Sequence, residues 1–410
     1  MSQEKLHATN HYLYYPDEEN IPPYLAYGFR PIFLLLAPYM ILSMFLWILI
    51  FSGVIPPFSD DILVWHVYEM TFGILTAGAL AFLTTGLPEL FPGMVPFVGK
   101  RLKYIVLLWV AGRVSFWFID FVGVFIVASL NLAMLVWIIY FAKDTVFDRL
   151  QRHAPLGYAL VILLGLEIWF FAIQASLIEG DAMAVLRLSI GAVVILILLA
   201  LRRVNMEAIN ELLEDKGIDA VYISRPPLSN FAIFSIALFS LGEYFFPNNS
   251  TTGWLALAAG AALLAITSDY NLKEKFILNQ PYVLYLGSIY LLLALGYAFV
   301  GWDILSAQGL HANHLRHLIT AGGIGLSYLM VMIIIGWIHT GRRLTSNLAT
   351  HAMVLSIILA ALCRVSIVWF ELHATLLYTL SALFWCATFG LYVKQFMPFL
   401  LAPRADGVKG

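Results

Sequence analysis

The chain has 410 residues, 61% of them hydrophobic and 12% charged, with a net charge of −2 and a mean hydropathy of +0.86. A water-soluble core of this size cannot hide that much apolar surface, so lipid must be its solvent. Scattered, nearly balanced charge also excludes nucleic acid as a partner, because phosphate binding needs a basic face.

The first twenty residues, Met1 to Asn20, are polar and lack the basic start and apolar core of a cleavable signal peptide. The first helix is therefore expected to be the membrane anchor. Apolar runs of roughly 20 residues, the length that spans a bilayer, lie near 31–52, 64–88, 102–119, 121–142, 155–178, 183–201, 229–246, 253–268, 281–301, 315–338, 348–370 and 374–400. The fold class this implies is all-α: a single polytopic membrane domain, 1–410, of about twelve transmembrane helices. The loops between them alternate in charge. Lys100, Arg101 and Lys103, then Lys143, Arg149 and Arg152, then Arg202, Arg203, Lys216 and Arg225, then Lys273 and Lys275, then Arg342 and Arg343 all fall in even-numbered loops. With Lys5, Arg30, Lys394, Arg404 and Lys409 they place nineteen of the twenty-three basic residues on one side, which the positive-inside rule makes cytoplasmic. Both ends, the segment 1–30 and the tail 401–410, are expected there, in a bacterial inner membrane. The long loop 202–228 carries Val204, Met206, Ile209, Leu212 and Leu213 at helical spacing, which predicts a helix on the cytoplasmic surface.

Ionisable groups inside spans cost a few kcal/mol each, so those that persist are functional candidates. Arg113, Arg187, Arg316 and Arg364 fall in the outer parts of their helices, as do Glu69, Glu243 and Glu371, with Glu167 nearer mid-span. Arg–Glu pairs that fix helix packing are the plainer account of this zone. His66, His314, His317 and His373 gather at the same outer level, while His339, His351 and His153 lie at the cytoplasmic ends. His66 and Glu69 are three apart on one helix face, with Gly73 one turn further, and His314 and His317 repeat the spacing ahead of Thr320, Gly322, Gly323 and Gly325. Imidazoles so placed could ligate haem iron or copper, although a lone histidine at a helix end is as readily an interfacial residue. His317 and His339, 22 residues apart, lie about 33 Å apart along a helix and cannot share one metal. Cys363 and Cys386 sit in apolar runs without ligand spacing and receive no role.

The segments Gly28-Phe29-Arg30-Pro31, Trp65 through Gly73, Gly112-Arg113, His317 through Thr320 with Gly322 and Gly325, His339-Thr340-Gly341-Arg342 and the tail Pro403-Arg404-Ala405-Asp406-Gly407 together resemble the NnrS family of haem- and copper-containing bacterial membrane proteins of the nitric oxide response. The resemblance implies haem b and copper as cofactors, nitric oxide or a nitrosyl species as the ligand, and membrane lipid as the surroundings. Carried over residue by residue, it offers His66, Glu69, His314, His317 and His339 as metal ligands, with Arg113 and Arg364 beside His66 and His317 as haem-binding residues. The chain departs from the family pattern at Tyr68, where the second histidine of Trp-His-Ala-His-Glu-Met is expected, at Ile334 in place of an arginine, and after helix six, where only Arg203 and Val204 remain of Gly-Gly-Arg-Val. Exchanging imidazole for phenol at Tyr68 removes a good copper donor, so the copper site is the one most altered. A secondary transporter with a buried Arg/Glu pathway and no cofactor is the second reading.

Overall fold

The structure, a computed structural model, describes residues 14–16, 20–90, 94–147, 154–219, 221–270 and 279–410. Most of the amino-terminal segment, His153, and Lys5, Arg149, Arg152, Lys273 and Lys275 of the charge argument lie outside the described residues. The described residues are helical and contain no strand, as the all-α class requires. The long helices, in chain order, are α1 (Phe29–Phe51), α2 (Ile62–Glu89), α3 (Gly99–Trp117), α4 (Val124–Val146), α5 (Ala154–Gln174), α6 (Ala182–Asp215), α7 (Pro226–Phe245), α8 (Ser250–Ile266), α9 (Pro281–Ala307), α10 (Ala312–Ile338), α11 (Leu348–Ser366) and α12 (Ala374–Leu401). All but α3 are long and apolar enough to cross a membrane, which makes eleven such helices among the described residues of this multi-pass protein. α3 has 19 residues but opens on Lys100, Arg101 and Lys103 and carries Arg113.

Local chemistry sets the helix starts. Asp61, Asn249 and Asn347 cap α2, α8 and α11, each accepting a backbone N–H of the first turn through its side chain. Pro226 and Pro281 open α7 and α9, where a missing N–H costs nothing. The tight reversal after α3 runs through the short helix Ile119–Val122 and Gly123, whose φ of +88° suits glycine. One expectation changes. The surface helix foreseen at 202–228 does not start anew, because α6 continues unbroken for 34 residues to Asp215. At 1.5 Å per residue it is about 51 Å long, well beyond a hydrocarbon core of about 30 Å. Val204, Ala208, Ile209 and Leu213 keep one buried face along the extension, while Arg203 and Glu207 pair on its exposed side.

The chain groups into two compact units: unit 1, of Met1–Leu186, Met332–Thr345 and Phe389–Gly410, and unit 2, of Arg187–Val331 and Ser346–Thr388. Unit 2 centres on α8 against α9, which approach through small residues. A Cβ on Gly260 would stand 2.8 Å from the Ala294 carbonyl oxygen, and one on Gly301 2.7 Å from that of Gly253. Lipid offers helices no hydrophobic reason to associate, so such close backbone packing supplies the attraction.

In unit 1 the buried Arg30 of α1 sends Nη1 to the carbonyls of Phe399, Leu400 and Ala402, at 3.3, 3.0 and 2.7 Å. It thereby satisfies acceptors that the end of α12 would otherwise leave bare. The tail then docks on the turn after α10. Arg404 Nη1 donates to the His339 carbonyl at 3.1 Å, Ala405 N to the Thr340 carbonyl at 3.0 Å, and Arg404 also grips Asp406. Burial works to raise the Asp406 carboxyl, but hydrogen bonds from Arg404 and from the Val408 amide outweigh it and hold it below the usual range. Gly341 makes this docking fit: its φ is +75°, and a Cβ there would lie 2.7 Å from the Asp406 carboxyl. Gly341→Ala should therefore cost about 1–2 kcal/mol in backbone conformation alone and loosen the tail, read as several-fold faster tryptic cleavage after Arg404. Unchanged cleavage would mean that the tail is held elsewhere.

Candidate functional site

One feature is shared by α2 and α10, the helices that carry His66 and His314 with His317. Each winds into a π-helix directly beyond its histidines, at Glu69–Gly73 in α2 and at Leu318–Ile324 in α10. A π segment inserts a residue into the helical register and is frequent at functional sites.

In unit 1 the π segment of α2 delivers Glu69 to a buried polar cluster. Glu69 Oε2 accepts from Arg113 Nη1 of α3 at 3.0 Å and from the Tyr39 hydroxyl of α1. Trp117 Nε1 donates to that hydroxyl at 3.3 Å, and Arg113 Nη2 donates to Asn131 Oδ1 of α4. One position back, Tyr68 donates to Glu167 Oε1 of α5 at 2.6 Å, its ring stacked between Phe116 and Phe170 at centroid distances of 4.0 and 4.8 Å. Glu69 and Glu167 are both 0% exposed. Gly73 leaves the room: a Cβ there would come within 2.6 Å of both Arg113 Nη1 and Glu69 Oε2. Trp109 Nε1 closes the cluster by donating to the Gly73 carbonyl at 3.0 Å. His66, one turn before Glu69, stacks its ring on Trp47 at 4.0 Å and 14°.

His339, foreseen as a metal ligand or a helix-end device, lies elsewhere in unit 1. Its Nδ1 meets Glu89 Oε1 at 2.9 Å, and Tyr27 donates to the same carboxylate at 2.8 Å. Burial, and then the Glu89 charge, push the Tyr27 phenol up, so it stays a donor.

In unit 2, α10 carries His314 and His317. His317 Nδ1 lies 2.8 Å from the Asn313 carbonyl oxygen one turn back. A carbonyl can only accept, so Nδ1 carries a proton here, as it does in imidazoles that bind a metal through Nε2. His314 Nδ1 meets Arg364 Nη1 of α11, whose guanidinium also lies over the Tyr378 ring at 4.6 Å. Arg316 forms a two-pronged pair with Glu243 of α7. The arginines thus divide. Arg113 and Arg316 have carboxylate partners, whereas Arg364 is among the described arginines that form no ion pair with one.

Sequence reasoning singled out His66, Glu69, Arg113, His314, His317, His339 and Arg364, and the structure joins Glu69 to Arg113 and His314 to Arg364. It missed Tyr39, Asn131 and Trp109. The available signal was depth: Glu69, Asn131 and Glu167 each stand seven residues from one end of Ile62–Glu89, Val124–Thr145 and Ala154–Gln174, respectively, so polar residues recur at a single level. Among the described residues no three His, Cys, Asp or Glu side chains converge as a metal site.

Comparison with known proteins agrees with the pattern of motifs. The family model described as NnrS protein matches residues 23–404. No curated protein and no solved structure matches.

Proposed function

This chain belongs to the NnrS family across nearly its whole length, and from that premise we propose that it is a haem-binding membrane protein of nitric oxide tolerance in which His317 ligates the iron. The observation that carries the reading is the His317 imidazole, whose Nδ1–H is committed to the Asn313 carbonyl at 2.8 Å, so that Nε2 is the ligating nitrogen. The π turn that follows sets the direction in which this ring projects. Arg364 supports the assignment. A part-buried guanidinium that shares its charge with an imidazole and a phenol ring, rather than with an acid, suits the carboxylates at a haem edge. Arg113, by contrast, is committed to Glu69 and has a structural charge partner already.

Bound haem would supply an iron that takes nitric oxide as a ligand. The chain's own residues would hold and orient it: His317 at the metal and Arg364 at the carboxylates. With no three donor side chains converging among the described residues, the donor set suits a haem with one protein imidazole better than a copper held by several side chains. The basic loops support a bacterial inner membrane with both termini cytoplasmic, which puts His317 near the outer face. A cofactor-free transporter is the second reading, and the buried Glu69–Arg113 pair is what favours it.

The test is a pyridine haemochromogen assay with metal analysis on detergent-purified wild type, His317→Ala, Arg364→Gln and His66→Ala. Near-stoichiometric haem in wild type and His66→Ala, lost in His317→Ala and several-fold reduced in Arg364→Gln, is the expected result. Folded wild type without haem overturns the reading and leaves ion-driven transport to be assayed. Haem lost only in His66→Ala moves the ligand to unit 1.

A further inference from the structure

Unit 1 encloses an imbalance of charge that the haem reading does not use. The buried cluster has two carboxyl groups, Glu69 and Glu167, and one guanidinium, Arg113, with Tyr39, Tyr68, Asn131, Trp109 and Trp117 as its neutral donors and acceptors. Every element packed around it is represented, α1, α2, α3, α4 and α5, and none contributes a second cation to these contacts. Were both carboxyls ionised, the cluster would hold a net charge of about −1 in the membrane interior, where an uncompensated charge costs several kcal/mol or more. One proton resolves this.

Hydrogen bonding identifies which carboxyl carries it. Glu69 Oε2 accepts from a guanidinium and from a phenol, a set of donors that stabilises a carboxylate. Each carboxyl has one oxygen buried without a hydrogen-bond partner, Glu69 Oε1 and Glu167 Oε2, but the engaged oxygen of Glu167 has a single neutral donor, Tyr68 on Oε1, and no cation. A protonated carboxyl fits that environment: Oε1 is the carbonyl oxygen that accepts from Tyr68, and Oε2 carries the hydrogen. The ionised state, reached by loss of the proton to bulk base at alkaline pH, also has partners in place. When the proton leaves Oε2, the Tyr68 hydroxyl already donates to the resulting carboxylate, and Arg113, whose guanidinium lies 5.7 Å from the centre of the Tyr68 ring, is the nearby cation.

We propose that Glu167 is a reversible proton-binding site within the membrane, read and held by Tyr68, with the Glu69–Arg113 pair as its fixed counter-charge. The ligand is the proton, and the residue that sets its exchange is Tyr68. Nothing in this assignment depends on haem, and its test uses no haem signal.

The experiment is infrared spectroscopy of the full chain in lipid vesicles across a pH series, in water and deuterated water, comparing wild type with Glu167→Gln, Glu69→Gln and Tyr68→Phe. Wild type should show a protonated-carboxyl C=O band at neutral pH that shifts on deuteration and bleaches reversibly at alkaline pH. Glu167→Gln should lose the band, whereas Glu69→Gln, which leaves Glu167 the only carboxyl beside Arg113, should retain a band that bleaches at lower pH. Tyr68→Phe should move it to higher frequency, because the carbonyl oxygen loses its hydrogen bond. Tyr68→Phe keeps the ring stack, so it remains informative even if Glu167→Gln fails to fold. A wild type without the band, a band that survives in Glu167→Gln, one that Tyr68→Phe leaves in place, or one that never bleaches overturns the proposal.

Discussion

Arg113→Met is expected to destabilise the protein by about 3–5 kcal/mol, the scale set by removing one partner of a buried ion pair. Both ends of this pair are hidden, with side chains 5% and 0% exposed, so water cannot take over from the lost guanidinium. The variant would leave two buried carboxyls with only phenol, indole and amide neighbours. Glu69→Gln should cost less, because Arg113 keeps its contact with Asn131 and gains an amide oxygen as acceptor. Hydrogen bonds between membrane helices average only about 0.6 kcal/mol in double-mutant cycles, so the comparison separates two accounts of the cluster. If the pair matters as charge, combining Arg113→Met with Glu69→Leu should recover much of the loss of the first variant. Reversible unfolding in mixed micelles measures all three. A loss of under about 1 kcal/mol for Arg113→Met would place this pair with ordinary interhelical hydrogen bonds.

The second large effect belongs to unit 2. Gly301→Val should weaken the α8–α9 contact by about 3 kcal/mol, at the upper end of what overpacking usually costs. The reason is that the obstacles are main chain. A Cβ at Gly301 would lie 2.7 Å from the Gly253 carbonyl oxygen and 3.0 Å from the Leu257 amide nitrogen, so a rotamer change cannot relieve it and the helices must separate. Gly253→Val meets the Gly301 carbonyl from the other side, at 3.1 Å, and should act in the same direction. Gly287 on the same α9 has nothing within 4 Å of its Cβ position, so Gly287→Val is the matched control. Thermal unfolding of the three variants in one detergent reads the difference, and equal losses at Gly287 and Gly301 would sink the close-contact argument.

Two motifs from the sequence gain a physical account from their meeting. His339-Thr340-Gly341-Arg342 and the tail around Arg404 and Asp406 lie more than sixty residues apart, yet they are one structure, the tail donating to the carbonyls of His339 and Thr340. In the sequence His339 had two readings, and its Glu89 and Tyr27 partners could not be foreseen because they come from other stretches of chain. Tyr68 tells the same story. As a departure from the family motif it suggested only a lost copper donor, whereas folded it donates to Glu167, ninety-nine residues away.

The sequence by itself determined the solvent, the helical class, the approximate place of each long helix and the family, because a bilayer imposes a length and a polarity on every segment independently of its neighbours. It also placed Glu69 and Arg113 in the outer parts of their helices, with Glu167 nearer mid-span, since depth along a helix follows from counting residues. Only the tertiary structure decided which acid meets which base. Apolar faces toward lipid and toward other helices look alike in composition, so periodicity cannot name a helix's neighbours. The same limit hid the unbroken run of α6 and the two π segments, which depend on packing and backbone register rather than on residue type.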